Sequence, residues 1–153
     1  MKISSQCGFT LVELVTVLLI VSVISVTAVV SWPGEGISLS AQADQLLGDI
    51  RYAQSLAMHR GQRYRINFAG DRYWLSDESG STVYAHPVVG STNVMLGSGI
   101  SLSSTNGSLI FNTAGVPYSS TSTPLATIAV LTLSAGGESV SVRVSPGTGR
   151  VIK

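Results

Sequence analysis

The stretch from Gly8 to Trp32 constrains this chain more than any other: Gly8-Phe9-Thr10-Leu11-Val12-Glu13 opens an apolar run whose one charge is Glu13. Phe9 to Trp32 is about 24 residues, so at about 1.5 Å of helical rise each it reaches about 36 Å, against a hydrocarbon core of about 30 Å. Such a helix spans a membrane with some tilt. A carboxylate inside it costs about 2.5–3.5 kcal/mol even on lenient insertion scales, so Glu13 needs a reason to be there. An ordinary secretory signal places its small-residue cleavage site after the apolar region, whereas Cys7-Gly8 comes before it. The hydrophobic helix therefore survives processing. A lipid-anchored Cys7 is excluded by the same order, and Lys2 holds the short leader on the cytoplasmic side.

At Gly8-Phe9-Thr10-Leu11-Val12-Glu13 the sequence resembles the class III leader of type IV pilins and of the pseudopilins of type II secretion. The resemblance implies a prepilin peptidase as partner, cutting between Gly8 and Phe9 and methylating the new N-terminal Phe9. It implies that Glu13 meets the positive N-terminal amine of a neighbouring subunit during assembly. Pairing makes two buried charges tolerable in the membrane.

Removal of the leader takes Lys2 with it, so nine basic residues become eight, against eight acidic ones. A near-neutral mature chain implies no strong field for nucleic acid or acidic lipid. Cys7, the one cysteine, also leaves, so disulfides and thiolate metal sites are excluded from the mature protein. Beyond the membrane segment there is room for one domain, held together by packing.

Taken in order, residues 1–8 are the leader and residues 9–32 the transmembrane helix. Trp32 suits the membrane interface, and Pro33-Gly34-Glu35-Gly36 breaks or kinks the helix. A second helix is expected from Ser38 to Arg60, capped at Ser38 or Ser40 and stopped at Gly61, so that residues 33–61 form the kink and an amphipathic helix. Ile37, Leu39, Leu46, Leu47, Ile50, Ala53, Leu56 and Ala57 form its apolar stripe, with Gln42, Gln45, Asp49 and Arg60 opposite. Residues 62–153 then read as a β-rich domain. Tyr64, Ile66 and Phe68 alternate with arginines and asparagine, Ala69-Gly70-Asp71 turns, and Tyr73-Trp74-Leu75 returns. Short strands are expected at Thr82–Ala85, Val88–Val89, Val94–Leu96, Ile100–Leu102, Ser108–Phe111, Leu125–Leu133, Ser139–Ser145 and Arg150–Ile152. Val140, Val142 and Val144 give the clearest alternation. The polar stretch Ser119–Thr123 is expected to be a mobile loop.

A finer resemblance covers nearly the whole chain. The helix end Arg51-Tyr52-Ala53-Gln54-Ser55-Leu56-Ala57-Met58-His59-Arg60-Gly61-Gln62, the central Ile110-Phe111-Asn112-Thr113-Ala114-Gly115 and the terminal Gly149-Arg150-Val151 are similar to the GspH/FimT family of minor pseudopilins and minor pilins. This implies an α+β, pilin-like fold: a long N-terminal transmembrane and amphipathic helix packed on a C-terminal antiparallel two-sheet β domain. It also implies a single-pass inner-membrane protein with its C-terminal domain in the periplasm, which then joins other pilin or pseudopilin subunits in a filament.

No enzyme is expected. His59 and His86 are the only histidines, no Gly-x-Ser-x-Gly elbow occurs, and no acid is placed recognisably with either histidine, so both read as surface residues. The adjacent Asp77-Glu78 pair fits a turn rather than a metal site, and the glycine pairs lack the context of a phosphate loop. No cofactor or metal is expected. Some FimT-like proteins of competence pili bind DNA through arginines near a C-terminal Gly-Arg motif, which Gly149-Arg150 resembles. Arg143, Arg150 and Lys153 are thus candidate DNA contacts, and DNA a secondary candidate partner. Three basic residues neutralise few phosphates, and the simpler reading is arginine on an exposed strand face.

Overall fold

Leu39, Ala43, Leu46, Ile50, Ala53 and Ala57 recur every three or four residues and are at most 1% exposed, and this row fixes the domain around it. The computed structural model describes residues 10–30 and 35–153. The chain divides into two units, Met1–Gly34 and Glu35–Lys153. Gly8, Phe9, Trp32 and the Pro33-Gly34 part of the expected kink lie outside the described residues.

In the first unit α1 runs from Leu11 to Val30. Leu11, Val12, Leu14, Val15, Val17 to Val21 and Val23 are all exposed, so the helix is apolar all round. Among the residues whose side chains are described, no helix is long and apolar enough to cross a membrane; those of α1 comprise Leu11–Val23 and Ser25.

In the second unit α2 runs from Glu35 to Arg60 and ends at Gly61, whose φ of 63° suits the left-handed position after a helix. The helix begins before Ser38, so Ser38 and Ser40 lie within it rather than at its cap. Among the described residues ten antiparallel strands come next, in two sheets. The first is ordered β3 (Val83–Tyr84), β2 (Arg72–Asp77), β1 (Tyr64–Ala69), β6 (Ser108–Phe111), β7 (Pro117–Tyr118), with β4 (Val94–Met95) also on β2. The second is ordered β10 (Val151–Ile152), β9 (Glu138–Val144), β8 (Ala129–Ala135), β5 (Ser101–Ser104). The expected helix-on-two-sheets architecture is what the chain adopts.

The core lies between α2 and the two sheets. Tyr64, Ile66, Tyr73, Leu109 and Phe111 come from the first sheet; Leu131, Leu133, Val142, Val144 and Val151 come from the second. Cross-strand pairs Leu131↔Val142 and Ala129↔Val144 put the valine alternation of β9 inward, while Arg143 faces out. Gly136 and Gly137, at φ 58° and 88°, make the two-residue turn between β8 and β9.

Three local expectations are corrected. Residues 125–128 are not strand: Leu125 N–H donates to Pro117 O at 2.9 Å, so the chain is still attached to β7 before it crosses to the second sheet. Val88 and Val89 form a turn, exposed at 87% and 49%. Ser119–Thr123 is a hydrogen-bonded turn: Ser119 N–H reaches Thr123 O at 2.9 Å and Arg63 donates to Thr121 O at 2.6 Å.

Candidate functional site

The N-terminal site starts at Thr10. Its hydroxyl accepts the Glu13 N–H at 3.2 Å, so Thr10 caps α1 and Glu13 sits in the first turn, at the positive end of the helix dipole. Among the described side chains, the other polar groups of α1 satisfy themselves. Thr16 donates to Val12 O at 2.5 Å, Ser22 to Leu19 O at 2.8 Å and Ser25 to Val21 O at 2.7 Å. Hydroxyls bonded back to their own helix need nothing from lipid. The Glu13 carboxylate has no partner among the described residues. It is the one charged side chain of α1.

At the C-terminal end, α2 positions the basic residues. Gln54 donates to Gly115 O at 2.8 Å and to Thr148 O at 3.0 Å, joining the turn after β6 to the turn before β10. Gly149 lies in the crook of these bonds at φ 64°, where an added Cβ would meet the Gln54 amide and come within 2.6 Å of Gly115 O. The Gly115 and Gly149 motifs of the sequence are thus halves of one junction on Gln54. Arg51 adds a bond to Val151 O at 2.8 Å.

The register then sorts the three candidate DNA contacts. Arg143 stands opposite Ile152, which makes Arg150 its diagonal neighbour on the outer face, about 7–8 Å away in such a ladder. Both are exposed. Lys153 is elsewhere: its Nζ bonds Asp44 at 3.0 Å and Ser40 Oγ at 2.7 Å, fastening the end of the chain to α2. Arg60 and Arg63, beside the first hairpin, are also engaged. Arg63 pairs with Glu78 and lies 4.4 Å over the Tyr118 ring, and Arg60 reaches the Tyr64 hydroxyl at 3.5 Å.

His59 is the exposed residue without an acid that was expected, but His86 is not. Its Nε2 lies 2.8 Å from Asp49 Oδ1, and the two side chains are 12% and 15% exposed. Asp49 Oδ2 also accepts the Tyr73 hydroxyl at 2.5 Å. Burial, and then this bond to Asp49, push the Tyr73 phenol far above its ordinary value. The three residues stand at one end of a small cavity of about 20 Å³ between α2 and β2. Thirty-seven residues separate Asp49 from His86, so no local pattern could pair them. The available signal was Tyr73 itself, because a tyrosine on the buried face of a strand must place its hydroxyl somewhere. Asp77 behaves as expected of a turn, accepting from Ser79 Oγ at 2.9 Å and Thr82 N–H at 3.2 Å.

Residues 42–148 match the family described as Type II transport protein GspH, and residues 3–29 match the prokaryotic N-terminal methylation motif. The type IV minor pilin FimU of Pseudomonas aeruginosa strain PAO1 has a similar crystal structure, at TM-score 0.58 and 16% identity over 74% of this chain and 86% of that one. The minor pseudopilin EpsH from the Type 2 Secretion System of Vibrio cholerae is similar at TM-score 0.58 and 13% identity, over 75% of this chain and 94% of that one. At these identities the likeness is one of fold. No curated protein matches the chain.

Proposed function

This chain belongs to the GspH family of type II transport proteins, and from that premise we propose that it is a non-enzymatic minor subunit of a type IV pilus or a secretion pseudopilus. A prepilin peptidase cuts after Gly8 and methylates Phe9. The helix from Phe9 to Trp32 then holds the protein in the bacterial inner membrane, with residues 62–153 in the periplasm, until it packs among like helices in the filament. The observation that carries this reading is the Glu13 carboxylate, unpartnered among the described residues in the first turn of a helix where Thr16, Ser22 and Ser25 are internally bonded. The free amine of a neighbouring Phe9 is the group that would answer it.

The test is the intact mass of the full chain made alongside a prepilin peptidase and extracted from membranes. The expected mass is that of Phe9 to Lys153 plus one methyl group. An uncut chain, or a cut C-terminal to Trp32, overturns the assignment. Replacing Gly8 by a bulky residue should leave the leader in place, since the peptidase must accept a residue without a side chain at the cut.

A second reading, DNA contact at a filament tip, is favoured by one observation: Arg143 and Arg150 share an exposed face with no carboxylate partner among the described residues. Lys153 adds little to it, being held by Asp44. With two guanidinium groups, retention on DNA should be weak and vanish with salt. No retention by the mature chain at low salt, or retention unchanged in the Arg143→Ala/Arg150→Ala variant, removes this reading.

A further inference from the structure

His86 holds two kinds of partner that require opposite proton states at its two ring nitrogens. Asp49 Oδ1, at 2.8 Å from Nε2, is a carboxylate oxygen and accepts, so Nε2 must carry a proton. The backbone N–H groups of Val88 and Val89 point at Nδ1 from 3.3 and 3.2 Å, so Nδ1 must offer its lone pair. Only the neutral Nε2–H tautomer satisfies all three contacts. The His86 backbone also closes the turn after it: its N–H donates to Ser91 O and its C=O accepts from Gly90 N–H, each at 2.8 Å. The product is a turn anchored to α2 through Asp49, with Val88 at its tip and 87% exposed.

We propose that His86 is a pH-sensitive clasp for the turn 86–91. Protonation places an N–H on Nδ1, against two backbone N–H donors, and removes the acceptor that holds the Val88 and Val89 amides. The bond to Asp49 survives and becomes an ion pair, and the two backbone bonds of the turn do not involve the ring. In acid the ring therefore stays on α2 while the tip carrying Val88 and Val89 is released from it. The titratable groups that line the cavity with His86 are Asp49 and Tyr52 from α2, Tyr73 from β2 and Tyr84 from β3. Among the described residues no lysine or arginine lines the cavity. What the clasp controls is the presentation of an apolar tip in a single conformation, in a domain whose pH, on the proposed periplasmic location, follows the surroundings.

The chain supplies its own control. His59 Nδ1 lies 2.8 Å from Ser55 O, a carbonyl that can only accept, so that ring should hold the opposite, Nδ1–H tautomer. The experiment is nitrogen NMR of the full mature chain in detergent micelles, labelled at histidine and valine, from pH 8 to pH 4.5. Expected are an Nε2–H signal for neutral His86, an Nδ1–H signal for His59, and Val88 and Val89 amides that move with the His86 midpoint. The protection of those two amides against exchange should fall about threefold to tenfold, the worth of one hydrogen bond. In Asp49→Asn, which keeps an acceptor for Nε2 but removes the charge, the midpoint should move to lower pH. An Nδ1–H tautomer at His86, a ring that does not titrate in this range, or a ring that titrates while both amides stand still would overturn the proposal. The wild-type titration decides the matter even where the variant does not fold.

Discussion

Gly149 is the position where one methyl group should do the most damage. Gly149→Ala has to overcome a φ of 64° and displace Gln54 or the Gly115 carbonyl, and an alanine's Cβ cannot rotate away from either. The expected cost is about 2–3 kcal/mol, read as a fall in the thermal midpoint of the full chain. Gly137 makes the comparison clean: its φ is 88° but nothing lies within 4 Å of an added Cβ, so Gly137→Ala should cost about 1 kcal/mol, from the backbone alone. Equal losses would mean that the junction yields. Tyr73 sets a pH dependence of definite sign. Its phenol is raised in the folded protein by burial and by Asp49, so the fold binds this proton more tightly than the unfolded chain does. The resulting stability is fully present below about pH 10 and is lost above it, by at most about 1.4 kcal/mol per pH unit. Tyr73→Phe should flatten that alkaline limb while costing about 1–2 kcal/mol at neutral pH; an unchanged limb would assign it to another group.

The element that was most legible is α2, and the reason is physical. A helix lying on two sheets buries one continuous stripe, so its period of three and four is written in consecutive residues. Three of its six innermost residues are alanines, Ala43, Ala53 and Ala57, each fully buried, which lets the helix approach the strands closely. Ala53→Leu should therefore overpack that contact, costing about 1–3 kcal/mol and leaving the fold in place. β8 and β9 were legible for the same reason at period two. What the periodicity hid was the use of the helix's polar flank. Gln42 and Asp49 read in the sequence as the side opposite the stripe, yet Gln42 accepts from Gly97 N–H at 2.8 Å and Asp49 holds His86, while Arg51 and Gln54 hold Val151, Gly115 and Thr148. Those partners lie 37 to 100 residues away, beyond any window in which a pattern repeats. The two-residue strand β7 was missed, since two residues cannot show an alternation, whereas the equally short β3, β4 and β10 fell within expected apolar runs. Gly115 and Gly149 were legible as motifs, but their meeting on Gln54 was not.

At the scale of the whole molecule the chain answers two solvents. The second unit closes its own core, whereas the described side chains of α1 leave leucine and valine exposed and keep the hydroxyls of Thr16, Ser22 and Ser25 on the helix's own backbone. For such a helix the cheapest change should be to delete its one charge, since the carboxylate costs about 2.5–3.5 kcal/mol in the membrane. Glu13→Ala should consequently insert at least as well as the natural chain. If Glu13 answers the amine of a neighbour, the same change leaves that amine unpaired among packed helices, a loss of the order of 3–5 kcal/mol for breaking a buried pair. The variant should thus accumulate in the membrane, processed, and be depleted from sheared filaments. Glu13→Gln separates charge from polarity, because it keeps the shape and the hydrogen-bonding oxygen and removes only the negative charge. Depletion from filaments in both variants, with membrane levels unchanged, is the outcome that charge pairing requires. Normal incorporation of Glu13→Gln would mean that the residue serves through a hydrogen bond, as in the first-turn geometry with Thr10, and that the amine finds its counter-charge elsewhere.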